Sequence, residues 1–204
     1  MLEHEPLLAQ LMGSGGISSG QAQARLKVEL ANYFAAAFLM PYQAFWAEAE
    51  LVAYDLDRLA AKFGTSFEQV CQRLTTLQRE GARGVPFFFL RIDKAGNVIK
   101  RFNATSFNLA EYGGSCPVWN IHTAFYQPGV ITPQFVEMPE GARFFTLSRT
   151  VHRPVYSRQT QDRRLTLALG CEFKYARRIG YADRYNIDEA GLFSPIGINC
   201  QLCP

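Results

Sequence analysis

Cys200-Gln201-Leu202-Cys203 stands at the C-terminal end of the 204-residue chain. Two thiolates at this spacing can chelate one zinc ion or one iron of a cluster, because the intervening turn aims both sulfurs the same way. Two ligands of a tetrahedral set are still lacking, and Cys116 and Cys171 are the candidates to complete it in space. The plain alternative is a tail with two idle thiols. Cys71 falls on an apolar helical stripe and reads as a core thiol. Five cysteines, an odd number, argue for thiols in a reducing compartment or for metal ligands rather than for a disulfide framework.

A second set of residues suits anions. Arg91, Lys100 and Arg101 lie on or beside one hairpin, and Arg149 and Arg153 lie at the end of another strand. Guanidinium groups bind phosphate through paired donors, so several converging on one pocket would suit a nucleotide-like ligand. Trp119, Phe125 and Tyr126 flank His122 in a segment opened by Gly113-Gly114-Ser115-Cys116-Pro117. A flat aromatic there can stack an adenine or wall an apolar acyl pocket. With sixteen phenylalanines in the chain, most of the aromatic rings must instead be core.

Enzyme signatures are missing. There is no GxGxxG after a strand, no GxxxxGK[ST] and no GxSxG elbow. His4, His122 and His152 are the only histidines, none within an HExxH. The expectation is a protein that is not an enzyme.

The elements that must position these residues change character at Gly81. Before it, the patterns are helical. Leu26, Leu30, Tyr33, Phe34, Ala37 and Phe38 make one apolar stripe, ended by Pro41. A second helical stretch runs from about Gln43 to Lys62 and stops at Gly64. Thr65-Ser66-Phe67-Glu68 reads as a capping box ahead of Val70, Leu74 and Leu77. After Gly81 the patterns are strand-like: Val85–Ile92, a turn over Asp93–Asn97 and a return at Val98–Phe102. A second hairpin joins Val130–Met138 to Arg143–Val151 through Pro139-Glu140-Gly141. Leu165–Cys171 is a further strand, and Lys174–Ala182 reads as helical. Hairpins predict an α+β fold: an N-terminal helical segment, then an antiparallel sheet with helices packed on one face.

Composition bounds the rest. With 48% hydrophobic residues the chain is globular, and its longest apolar run, Phe34–Met40, is too short to span a bilayer. No basic segment opens a signal peptide, so no membrane is expected and the cytoplasm is the expected compartment. Ten Lys/Arg stand against three acids between Arg143 and Arg184, in a chain of net charge +3. That local surplus fits either an anionic partner or a solvated basic face.

Glu29-Leu30-Ala31-Asn32-Tyr33-Phe34-Ala35-Ala36-Ala37-Phe38-Leu39-Met40-Pro41 resembles the ExxANxFAxxLLMP helix of ImmA/IrrE-like, zincin-related proteins, and Phe63–Gln78 resembles the closing helices of that domain. From Gly81-Ala82-Arg83-Gly84-Val85-Pro86-Phe87-Phe88-Phe89, through Gly113–Trp119, to Pro195–Cys203, the chain is similar to the C-terminal sensor domain of short-chain fatty-acyl-CoA-responsive transcriptional regulators. The resemblance implies two parts: residues 1–80 as a helical remnant of the ImmA/IrrE-like domain, and residues 81–204 as an acyl-CoA sensor domain. It implies a ligand-sensing fragment of a regulator of propionate and acetate use, expected as a homodimer. DNA contact is expected only through a helix-turn-helix domain absent from this chain. Family members continue past the CxxC with a third cysteine and a basic tail. Without HExxH, Glu29 is expected to be structural.

The same resemblance implies acyl-CoA or CoA as effector. Its phosphates would take Arg91, Lys100, Arg101, Arg149 and Arg153. Phe87, Phe89, Trp119 and Phe125 would close an apolar slot, with His122 as a polar handle on the thioester carbonyl. It further implies an iron–sulfur cluster, incomplete in this fragment, on Cys200 and Cys203 with Cys171 or Cys116. The competing expectation is a dimerisation and interaction module with no small-molecule ligand.

Overall fold

A computed structural model describes residues 10, 19–107, 116–152, 164–189 and 191–197. The chain divides into two compact units, residues 1–42 and 43–204. The first contains helix α1, Gly20–Leu39, whose N-terminus is capped by Ser19 accepting from Ala22 N at 3.4 Å. Met40 then leaves the helical region ahead of Pro41.

The second unit opens with three helices: α2 (Tyr42–Leu51), α3 (Leu56–Phe63) and α4 (Phe67–Leu74). The single helical stretch expected over Gln43–Lys62 is therefore two helices. Ala53 and Tyr54 break it, with φ of 49° and 61°. Left-handed backbone at a non-glycine residue costs about 1–3 kcal/mol and persists only where the surroundings compensate. Here Gly180 N–H donates to Ala53 O at 2.8 Å and Val85 N–H donates to the Tyr54 hydroxyl at 2.8 Å. That hydroxyl in turn donates to Glu50, which also pairs with Arg178. Asp55 caps α3, and Gly64, at φ 61°, ends it. The capping box of α4 stands one residue later than the sequence pattern indicated: Ser66 Oγ accepts from Gln69 N at 3.2 Å, and Gln69 Oε1 accepts from Ser66 N at 2.9 Å.

The sheet has six strands: β1 (Phe88–Ile92), β2 (Val98–Asn103), β3 (Thr132–Glu137), β4 (Arg143–Val151), β5 (Leu165–Glu172) and the short β6 (Ser194–Pro195). Their order is β2-β1-β5-β4-β3-β6, all antiparallel except the β3–β6 pair. The α+β class and both hairpins match the sequence expectation. Asp93 makes the first turn, accepting from the N–H groups of Ala95 and Asn97 at 2.9 Å each. Lys174–Ala182, which reads as helical, forms two 3-10 segments, Phe173–Arg178 and Gly180–Ala182. Ile179, in extended backbone, breaks the run, and the N–H of Gly180 is spent on Ala53.

Alternation sorts the strands' side chains onto two faces. One face packs against α2–α4: Phe87 meets Tyr54 with ring centroids 5.5 Å apart, and Phe89 meets Phe102 at 6.0 Å. The other face carries an aromatic core of Phe88, Phe107, Trp119 and Phe144, covered by a one-turn helix, α5 (Asn120–Thr123). Buried Asn120 anchors α5 by donating to Thr132 O at 2.6 Å and accepting from Ser148 Oγ at 2.7 Å. Trp119 Nε1 donates to Thr146 Oγ1 at 3.2 Å. Both polar groups are thus satisfied inside the core, as burial demands.

Gly170 is required by this core. A Cβ there would lie 2.3 Å from Phe88 Cζ. The ring cannot retreat, since it stacks on Phe107 at 4.0 Å and meets Phe144 edge-on at 6.0 Å. Gly170→Ala is expected to destabilise the fold by about 1–3 kcal/mol, the cost of overpacking. Urea unfolding of the variant measures it; an unchanged midpoint would show that the aromatic core yields.

Candidate functional site

On the helix-covered face, Lys100, Arg91, Leu167 and Arg149 form a row across four strands, since Arg91 pairs with Lys100 and with Leu167, and Leu167 pairs with Arg149. With strands about 4.8 Å apart, Arg91 and Arg149 stand roughly 10 Å from each other. Helix α4 lies over this row. Glu68 accepts from Arg91 at 2.7 Å, Gln72 accepts from Lys100 at 3.4 Å, and the Phe67 ring lies 4.7 Å below the Arg149 guanidinium. Arg91 and Glu68 are mostly withdrawn from water, their side chains 15% and 20% exposed, so this pair fastens α4 to the sheet rather than waiting for a ligand.

Arg149 is placed differently. It stands near the end of β4, where Val151 pairs with Leu165 and brings His152 and Arg164 to the same rim. These three basic side chains line a cleft of about 520 Å³ together with Ser66, Phe67 and Gly129. Glu68 lines it too, its charge engaged with Arg91. Arg149 also pairs with Asp57, in the first turn of α3. Asp57 lines a second cleft of about 400 Å³, with Asp55, Ile131, Pro133, Tyr181 and Arg184. Burial pushes the Tyr181 hydroxyl up to about 12, so it stays protonated there; it accepts from Leu56 N at 3.2 Å. The Arg149–Asp57 pair therefore ties a residue of a cationic cleft to a residue of one of mixed character. The first can hold an anion of phosphate type through charge-assisted bonds; the second offers apolar Ile131 and Pro133 beside polar groups.

Of the described residues expected to form one pocket, the structure brings only Arg149 to this cleft. The proposed apolar slot does not form: Phe87 and Phe89 are buried on the helix-covered face, Trp119 and Phe125 pack in or against the aromatic core on the other, and the sheet lies between. Arg101 is exposed on the aromatic side of β2, one residue out of phase with Lys100. His122 is in α5, on the aromatic side of the sheet, its Cε1 3.2 Å from where a Cβ on Gly96 would sit. Arg153 lies outside the described residues. The sequence reading missed Asp57 and Phe67, which no motif marks, and Arg164, Arg184 and His152, whose one signal is membership of the basic stretch.

Cys200 and Cys203 also lie outside the described residues. Cys171 pairs with Phe145 on the helix-covered face, whereas Cys116 packs against the aromatic core. One cluster cannot take both, because the sheet separates them. Burial pushes the Cys171 thiol upward, against the thiolate a metal needs. Among the described residues no group of three or more His, Cys, Asp or Glu side chains could hold a metal ion. The described residues do not fit a cluster site. Nor is any described helix long and apolar enough to cross a membrane.

Comparison with known proteins adds the family context. Residues 76–204 match the family described as short-chain fatty acyl coenzyme A regulator, C-terminal, and residues 10–75 match the IrrE N-terminal-like domain. The chain is 45% identical over 203 residues to the propionyl-CoA carboxylase regulator of Cereibacter sphaeroides, covering 100% of this chain and 44% of that protein. It is 40% identical over 197 residues to the HTH-type transcriptional regulator PrpR of Mycobacterium tuberculosis, covering 97% of this chain and 40% of that protein. A solved structure of a Mycobacterium tuberculosis transcriptional regulator superposes with a TM-score of 0.94 at 38% identity, over 100% of this chain and 62% of the other. The chain thus spans less than half the length of these two curated relatives.

The burial of Cys71 and Cys171, whose thiols are both held above their ordinary range, generates a simple expectation. Iodoacetamide at mildly alkaline pH leaves both unlabelled in the native protein and labels both after denaturation, as read by peptide mass mapping. Native labelling of Cys171 would place its sulfur at the surface.

Proposed function

The chain belongs to the short-chain fatty acyl coenzyme A regulator family, and from that premise we propose that it is the ligand-sensing part of a transcriptional regulator of short-chain fatty acid metabolism, with a short-chain acyl-CoA as its effector. The observation that carries the site assignment is the convergence of Arg149, His152 and Arg164 on one cleft. Coenzyme A brings a diphosphate, a 3′-phosphate, an adenine and a thin pantetheine arm. Its phosphates call for fixed cations on rigid elements, which the ends of β4 and β5 supply. The Phe67 ring below Arg149 keeps the guanidinium oriented without neutralising it. The apolar edge given by Ile131 and Pro133 in the cleft that Asp57 lines is where a short acyl arm would find carbon rather than charge.

No catalytic step is part of this reading. A sensor gains by keeping the thioester intact, so that its different affinities for two conformations shift their populations. Contact with DNA is assigned to a separate helix-turn-helix domain, since the relative PrpR is an HTH-type regulator.

Calorimetry with propionyl-CoA tests the proposal. Micromolar binding is expected, weakened about ten- to a hundredfold in Arg149→Ala, the loss of a hydrogen bond to a charged group at ~1.5–3 kcal/mol. A ligand at one hundred times its Kd adds about 2.7 kcal/mol of stability, so thermal melting reports the same event. No heat from the unmutated protein at millimolar ligand would leave an interaction module without a small-molecule ligand as the better reading.

A further inference from the structure

We propose that Asp57 is a resident competitor for Arg149: its carboxylate occupies the guanidinium edge that a ligand phosphate takes, and a phosphate-bearing ligand binds by displacing it. The inference rests on the reading above, that the cleft beside Arg149 receives phosphate.

Three observations carry it. Arg149 has two neighbours of different kinds, the Asp57 carboxylate at Oδ1 and the face of Phe67. The ring occupies a face of the guanidinium and leaves its donor edges available, so the carboxylate is what an incoming anion must replace there. Asp57 can also leave without being stranded. Its side chain is 61% exposed, so it re-enters water at little cost, and at the first turn of α3 it keeps the favourable field of the helix N-terminus. An exposed ion pair of this sort is weak, and a phosphate that accepts two guanidinium bonds outcompetes it.

The third observation concerns shape. Asp57 lines the cleft of about 400 Å³ and Arg149 the cleft of about 520 Å³, so their ion pair ties a residue of one cleft to a residue of the other. A long ligand whose phosphate has taken Arg149 can reach with its apolar end toward Ile131 and Pro133, which line the cleft that Asp57 lines. Short anions such as pyrophosphate take Arg149 alone. Displacement also unties the start of α3 from β4, so occupancy is felt by the helix layer.

The test uses Asp57→Asn, nearly isosteric and uncharged, with Asp57→Ser as a second variant, each probed by calorimetry with pyrophosphate and with propionyl-CoA. Both variants are expected to bind both probes about two- to fivefold more tightly than the parent, the gain from removing a weak competing pair. Arg149→Ala binds both more weakly, and Asp57→Asn adds nothing on that background, because the competition needs both partners. Unchanged or weaker binding in both Asp57 variants, with the parent still binding and still dependent on Arg149, overturns the competitor role and leaves the acyl-CoA reading standing. Binding by the parent that ignores Arg149→Ala overturns the competitor role and moves the ligand to another site. Failure of the parent to bind either probe overturns both.

Discussion

In the register that β5 adopts between β1 and β4, Phe88 and Thr146 face Gly170, and Arg91 and Arg149 share Leu167. The two sides of the sheet follow from those pairings. On one side the missing side chain of Gly170 lets Phe88 lie flat, and Phe107, Trp119 and Phe144 close around it. On the other, the cations of β1, β2 and β4 fall into line beneath α4. Side chains on a strand alternate with period two, so a slip of one residue in β5 would exchange these roles at every position. The central strand is buried from Thr166 to Cys171, which leaves little tolerance for such a slip.

The helix layer shares buried apolar side chains with this sheet, Leu59, Val70 and Leu74 on its side and Phe87, Phe89 and Leu167 on the other, and polar contacts fix its edges. Arg91–Glu68 and Lys100–Gln72 hold α4, and Arg149 touches both α3 and α4. At the corner between α2 and α3, two residues in left-handed conformation are balanced by hydrogen bonds from Gly180 and Val85. The charged contacts at the edges cost less to rearrange than the close-packed apolar ones between them.

The chain belongs to the regulator family, and the cleft at the ends of β4 and β5 is the site proposed for its effector. The basic stretch between Arg143 and Arg184 is not one surface. Arg143 packs over Phe193, Arg177 pairs with Asp188, Arg178 pairs with Glu50, and Arg149, Arg164 and Arg184 meet the two clefts. Among the described residues, the surplus of charge in sequence thus resolves into structural contacts and cleft-lining cations that interleave along the stretch.

Local patterning alone determined the α+β class, the two hairpins, the helix ending at Pro41 and the glycine that stops α3, because each follows from dihedral limits and periodicity within a few residues. The cation-rich character of the C-terminal half was equally plain. What the tertiary structure decided is which of those cations share a space. Arg101 and Lys100 are neighbours in the chain but lie on opposite faces of β2, and Phe89 and Trp119 are kept apart by the sheet itself. Asp57, by contrast, is 92 residues from Arg149 and carries no motif, yet it meets the guanidinium directly. That meeting depends on the docking of α3 over the end of β4. Such docking depends on long-range packing of elements, about which spacing along the chain is silent.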